Sequence, residues 1–320
     1  MPCLMNAVVL DRKITMNDSV WPAVDEEAGQ RMIKTNGVDL CTQAFGDPAN
    51  PGLLLIMGAT ASMVRWPETL CRQLADSGLY VIRYDNRDTG ASTSYPPYAP
   101  PYTAVDLAED AVGILEAYGI ERAHAWGISL GGMITQQLAI NHPDRLHTAT
   151  IMSSTPDPKA IGAAATGGGV THSPLPGPTS VVIELIELLA DVDWHDPAAA
   201  VEAWVTEDRM LYGTYPFDEA GSREIAVQQV RRASNILSHR FNHPIAVDRT
   251  PSWRHRLPEV QVPALIIHGT EDAAFPPAHA VALADEIPGA QLIMIDQLGH
   301  VTAPASFAII VPAILSHVRA

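Results

Sequence analysis

Apolar and polar positions along this chain fall into two alternating rhythms. Short apolar runs of strand length recur at Gly52-Leu53-Leu54-Leu55-Ile56-Met57, Tyr80–Tyr84, Ala123-His124-Ala125-Trp126, Thr148–Ser153, Ala264-Leu265-Ile266-Ile267-His268-Gly269 and Gln291-Leu292-Ile293-Met294-Ile295. Between several of them lie segments with helical spacing. One is expected around Pro67–Ser77, and another, capped by Thr103, runs through Tyr118 with Leu107, Val112, Leu115 and Ile120 spaced for its inner face. Ahead of all these, Arg31-Met32-Ile33-Lys34-Thr35 and Val38-Asp39-Leu40-Cys41-Thr42-Gln43 flank Asn36-Gly37, a strong hairpin signal. Strand–helix alternation of this kind predicts an α/β architecture, a mostly parallel sheet covered on both faces.

The rhythm breaks between about Thr155 and Glu259. This insert opens with Ala163-Ala164-Ala165-Thr166-Gly167-Gly168-Gly169 and a Pro-rich stretch to Pro178, read as a mobile loop. Helical patterns follow at Val181–Leu189, Pro197–Leu211 and Arg223–Ser238. Aromatic residues concentrate here, and at helical spacing most should form the core of the insert itself. Trp204, Tyr212, Phe217 and Trp253 are the first candidates to face a substrate. The expected organisation is an N-terminal extension at 1–28, an α/β core at 29–154 and 260–320, and a helical cap at 155–259.

Charge narrows the range of partners. Twenty Lys and Arg against thirty-six Asp and Glu leave a formal charge of −16, with no basic cluster to offset it. Nucleic acid and anionic membrane surfaces are poor partners for such a chain. No apolar run is long enough to span a bilayer. The first ten residues are briefly apolar, but Asp11-Arg12-Lys13 follow rather than precede them, and no small-residue cleavage site appears. Three widely spaced cysteines, Cys3, Cys41 and Cys71, suit reduced thiols, so the expected setting is cytoplasmic. No phosphate loop or cofactor fingerprint is present, and neither cofactor nor metal is expected.

Against that background one stretch carries chemistry. Gly127-Ile128-Ser129-Leu130-Gly131 lies between a strand end and a helix start, the context of a nucleophile elbow. The turn is so tight that glycines are needed two residues to either side, and it lifts the serine Oγ clear of the sheet. A serine needs an imidazole base, and the imidazole a carboxylate that fixes its tautomer. Beyond the strand 264–269 come Glu271 and Asp272; beyond the last strand comes His300, after Gly299. Asp272 is favoured over Glu271 by the spacing from Gly269 to Pro276, with Asp157 a more distant choice. Among twelve histidines, His124 and His268 fall inside buried strands, and His142 and His147 flank a helix end. His239 and His243 have the i, i+4 spacing of a metal pair but lack a third ligand. An oxyanion hole would draw on the N–H of Leu130 and on the loop Gly58-Ala59-Thr60-Ala61, with Ala59 preferred over Gly58 or Thr60.

The motifs together resemble the α/β-hydrolase superfamily and, within it, the aclacinomycin methylesterase-like group. The likeness rests on Phe45-Gly46-Asp47-Pro48, the Met57-Gly58 loop, Trp66-Pro67 and Val81-Ile82-Arg83-Tyr84-Asp85-Asn86-Arg87-Asp88-Thr89-Gly90-Ala91-Ser92. It covers about residues 31–155 and 260–318. The resemblance implies an eight-stranded sheet with a helical cap inserted after strand six. It also implies a serine esterase with Ser129 as nucleophile, Asp272 as acid, His300 as base, and Ala59 and Leu130 as oxyanion donors. The implied partner is a small hydrophobic ester, a methyl ester of a bulky acid or the substrate of a general short-chain carboxylesterase. Other outcomes of this fold are a lipase, a thioesterase or a silent binding protein for hydrophobic ligands. One departure concerns the chemistry: Ala59 stands where the methylesterase pattern has a second glycine.

Overall fold

The computed structural model of the chain describes residues 29–159 and 173–319. The extension at 1–28 and the Gly-rich stretch at 163–169 lie outside these residues. Asn36 and Gly37 both take positive φ, 46° and 74°, as a two-residue hairpin loop requires. They join β1 (Gln30–Thr35) to β2 (Val38–Phe45), with Thr35 opposite Val38. The remaining strands are β3 (Gly52–Ile56), β4 (Tyr80–Tyr84), β5 (Ala123–Ile128), β6 (Leu146–Met152), β7 (Ala264–Gly269) and β8 (Gln291–Ile295). They form one eight-stranded sheet in the order β1-β2-β4-β3-β5-β6-β7-β8. Pairings of β2 with β1 and β4 are antiparallel; every other pairing is parallel.

Every position of β3, β5 and β7 is buried, because helices cover both faces. On one face α2 (Ala104–Ala117), α3 (Leu130–Asn141) and α8 (Ala278–Glu286) pack Leu107, Ile134 and Leu283 against Leu54 and Ile56. On the other, α1 (Glu68–Asp76) and α9 (Phe307–Arg319) bring Leu70, Leu74, Ile310 and Ile314 onto Leu53 and Leu55. Successive residues of β3 thus serve opposite cores, the period-two alternation of a strand. Thr103 and Asp106 form a reciprocal capping box at the start of α2, so the helix begins where the threonine indicated. Ile120 lies just beyond its end but still packs on the same cluster.

Between β6 and β7 the insert folds as α4 (Ser180–Leu189), α5 (Pro197–Leu211), α6 (Glu219–Arg232) and α7 (Ile236–Arg249). Its apolar cluster contains Leu185, Leu189, Trp194, Ala200, Trp204 and Ala226. Here the structure corrects one expectation. The helical pattern at Arg223–Ser238 is two helices, broken at residues 233–235. Asn235 ends the run by accepting the Ser238 N–H with its side chain, an N-cap that starts a new helix. Apolar spacing carries across such a break, so periodicity alone misses it. Among the described residues no helix is long and apolar enough to cross a membrane.

Candidate active site

Ser129 joins β5 to α3 with φ 55° and ψ −115°, a left-handed backbone that a non-glycine residue adopts only when its surroundings hold it there. Its N–H donates to Met152 O at 2.9 Å. Its carbonyl accepts from Met133 N at 3.1 Å and from Ser154 Oγ at 2.8 Å. The two flanking glycines are a steric necessity. A Cβ on Gly127 would run into the Gly131 carbonyl, and one on Gly131 into the Ile56 carbonyl. Gly58 is tight but less so: a Cβ there would stand 3.2 Å from the Cβ of Ser129.

Folding brings the three motif residues together. His300 Nε2 is 3.1 Å from Ser129 Oγ, and its Nδ1 is 3.0 and 2.9 Å from Asp272 Oδ1 and Oδ2. Asp272 sits beyond β7, where its Oδ1 also accepts the N–H groups of Ala274 and Phe275 at 2.9 and 2.8 Å. Because a carboxylate only accepts, Nδ1 of His300 carries the proton and Nε2 presents its lone pair to the serine. Burial by itself would raise the Asp272 carboxyl. The charge and hydrogen bond of His300 outweigh it and hold the carboxyl below its ordinary value. For His300, burial would lower the imidazole, yet the Asp272 carboxylate raises it above its ordinary 6.5. The two groups therefore favour each other's charged forms, as a base that must accept a proton in the reaction requires.

Two parts of this site carry no sequence signal. The Phe275 ring stands edge-on to His300 with centroids 5.5 Å apart. The His300 N–H donates to Leu211 O at 2.7 Å, at the end of α5, so the insert holds the base loop. Glu271, the rival acid, faces the insert instead, accepting the Thr214 N–H and hydroxyl at 2.7 and 2.9 Å. Asp157 caps its own turn through Lys159 N. His268 is buried beside the acid, its Nε2 2.8 Å from Phe275 O and 3.4 Å from Asp272 Oδ2. His124 bonds Thr148 and His142 bonds Glu109, while His147 stacks on His124 at 5.3 Å. Among the described residues no group of three or more His, Cys, Asp or Glu is arranged to hold a metal ion.

Leu130 is the first residue of α3, where an N–H has no intrahelical acceptor. Ala59 lies in the loop after β3, between Gly58 and the left-handed Thr60 (φ 55°). The four aromatic candidates separate. Trp204 is buried within the insert, 5.6 Å from Trp194 and 5.3 Å from His239. Tyr212 is buried and packs edge-on to the half-buried Phe217 at 5.0 Å, beside the base loop. Trp253 departs from the expectation of a substrate-facing ring. It is buried in the sheet-side core, and its indole N–H donates to Gln136 Oε1 of α3 at 2.9 Å. The buried indole N–H is thereby satisfied.

Comparison with known proteins gives the family. A family model for the alpha/beta hydrolase fold matches residues 51–169, and one for the X-Pro dipeptidyl-peptidase (S15) family matches residues 120–302. The chain is 37% identical over 301 residues to rhodomycin D methylesterase DauP of Streptomyces sp. (strain C5), covering 91% of this chain and 98% of that one. It is 35% identical over the same extent to rhodomycin D methylesterase DnrP of Streptomyces peucetius. The crystal structure of the esterase RhEst1 from Rhodococcus sp. ECU1013 superposes with a TM-score of 0.70 at 21% identity, over 90% of this chain and 98% of that one, a likeness of fold. The chain thus belongs to the α/β-hydrolase superfamily and, within it, to the aclacinomycin methylesterase-like ester hydrolases.

Proposed function

We propose that the protein hydrolyses the methyl ester of a bulky hydrophobic acid through an acyl-enzyme on Ser129. The observation that carries this reading is the chain of hydrogen bonds from Ser129 Oγ through His300 to Asp272. Ser129 Oγ attacks the ester carbonyl carbon as its proton passes to His300 Nε2. The negative charge that develops on the carbonyl oxygen falls between the N–H groups of Ala59 and Leu130. When the carbon–oxygen bond to the alcohol breaks, His300 returns that proton and methanol leaves. Water then attacks the acyl-enzyme with His300 again as base, which frees the acid and restores Ser129. Support for the methyl ester comes from the names of the relatives, which share more than a third of their residues with this chain.

The insert at 155–259 acts as the cap that selects the acyl group; Tyr212 and Phe217, beside the base loop, are assigned to that task, and Trp204 supports the cap from its buried core. An ester panel that varies acyl and alcohol parts independently tests the reading, with an X-Pro dipeptidyl amide added because the second family model spans Ser129, Asp272 and His300. Methyl esters of large apolar acids should show the highest kcat/KM. A fluorophosphonate probe should label wild type but not Ser129→Ala, whose kcat should fall on the order of 10⁵–10⁶-fold. Near-normal turnover by Ser129→Ala would sink the nucleophile, and preferred cleavage of the dipeptidyl amide would replace the ester.

A further inference from the structure

Besides holding the base loop through Leu211, the insert reaches the oxyanion side of the site at the Thr60 peptide group. Thr60 follows Ala59, and its φ of 55° is one that a β-branched residue holds only under constraint. Its N–H donates to Nδ1 of His243, 3.2 Å away on α7 of the insert. Nε2 of the same ring is 2.7 Å from Arg87 O. A carbonyl only accepts, so Nε2 carries the proton and Nδ1 keeps a lone pair for the Thr60 amide. Charging the ring would set an N–H against an N–H. Full burial opposes that charge and lowers the imidazole below its ordinary value, although Asp88 pulls the other way.

The helix that carries His243 is itself fixed to the loop after β4. Asn242 Nδ2 donates to Asp88 Oδ2 at 2.9 Å and Ser238 Oγ to Tyr95 O at 2.6 Å. Further along the Thr60 loop, the Ser62 N–H donates to Gln229 Oε1 at 2.9 Å, and Arg65 pairs with Asp208 at 2.7 Å, both partners in the insert. Asp85 anchors the loop from the core side, accepting from Ser62 Oγ and Met63 N at 2.7 and 2.8 Å. His239, one turn before His243, faces the Thr60 backbone as well, and full burial lowers its imidazole below the ordinary value.

We infer that His243 is a positioning residue for the oxyanion hole: supplied by the cap, it grips the Thr60 amide and so aims the neighbouring Ala59 N–H at the developing oxyanion. The inference rests on the ester-hydrolysis reading above. Its consequence is that the cap, besides selecting substrates, sets part of the rate. His243→Leu should slow a small activated ester such as p-nitrophenyl acetate as much as a bulky one. A donor out of place costs less than a donor lost, which is worth about 10²–10³ in kcat.

The test compares His243→Leu, His243→Gln and, as a control on the same helix, Arg240→Ala, in the full chain. Expected for His243→Leu is a fall in kcat of about 10- to 100-fold, KM within about threefold, and a parallel loss of affinity for a trifluoromethyl ketone, whose adduct bears an oxyanion. His243→Gln retains an acceptor for the Thr60 amide and should recover most of the rate, and Arg240→Ala should keep it. Unchanged kcat in folded His243→Leu, or equal loss in the glutamine variant, overturns the role. If the leucine variant does not fold, imidazole ¹⁵N spectra of wild type decide. A neutral His243 protonated at Nε2 supports the inference, and protonation at Nδ1 or at both nitrogens defeats it. Wild type that neither turns over esters nor accepts a fluorophosphonate fails at the earlier reading. An active, labelled wild type with an indifferent His243→Leu defeats the positioning role alone.

Discussion

The proton on His300 governs the proposed reaction, and the structure sets where that proton is lost. Burial would depress the imidazole, but the Asp272 carboxylate bonded to Nδ1 raises it above 6.5. A base must be neutral to act, so activity should fall as pH drops through this raised value. The acid limb of the kcat/KM profile should therefore have its midpoint above pH 6.5. Asp272→Asn removes the charge while keeping the side chain's size. Burial should then dominate, and the midpoint of any residual activity should move down. The rate itself should drop on the order of 10⁴-fold, because the amide no longer fixes the tautomer. A limb that stays in place in Asp272→Asn would mean that another group controls it.

At the level of elements, two substitutions of similar size should differ sharply. Thr103 closes the capping box of α2 with Asp106, its hydroxyl 2.8 Å from Oδ2. Thr103→Ala should cost about 1 kcal/mol of stability, read as a lower denaturation midpoint, and leave turnover unchanged. Gly131→Ala adds one methyl group at the first turn of α3, where it meets the Ile56 carbonyl. It should cost about 1–3 kcal/mol or more and also displace Ser129 and the Leu130 N–H, so that kcat falls with stability. Full activity in Gly131→Ala would show that the elbow tolerates a wider turn than its geometry allows.

Across the whole molecule the insert is bound to the core through the loops that carry the site. His300 N–H reaches Leu211 O, Thr214 meets Glu271, and Thr60 meets His243. A further tie is Arg232 of α6 on Asp85, a carboxylate with no exposed side-chain surface. Asp85 would retain its donors from Ser62, Met63 and Ala91 but lose its counter-charge in Arg232→Met. Breaking one partner of such a buried pair costs about 3–5 kcal/mol. The midpoint of denaturation should fall accordingly, and a stability within about 0.5 kcal/mol of wild type would show the tie to be idle.

What the sequence determined by itself is what acts within a few residues. Asn36-Gly37 dictates the hairpin because both central positions need positive φ. Gly127 and Gly131 mark the elbow because no Cβ fits there, and Thr103 marks the start of α2. The order of strands and the loops after β7 and β8 were legible from apolar runs, which is why Asp272 and His300 stood out. Tertiary structure decided the rest. The break at Asn235 is local but hidden by continuous periodicity. Trp253 lies in the sheet-side core, where Gln136, far from it in sequence, accepts its indole N–H. The bonds from His300 to Ser129 and from Thr60 to His243 span 171 and 183 residues. Such partners are chosen by how the insert packs on the sheet, and no spacing along the chain encodes that choice.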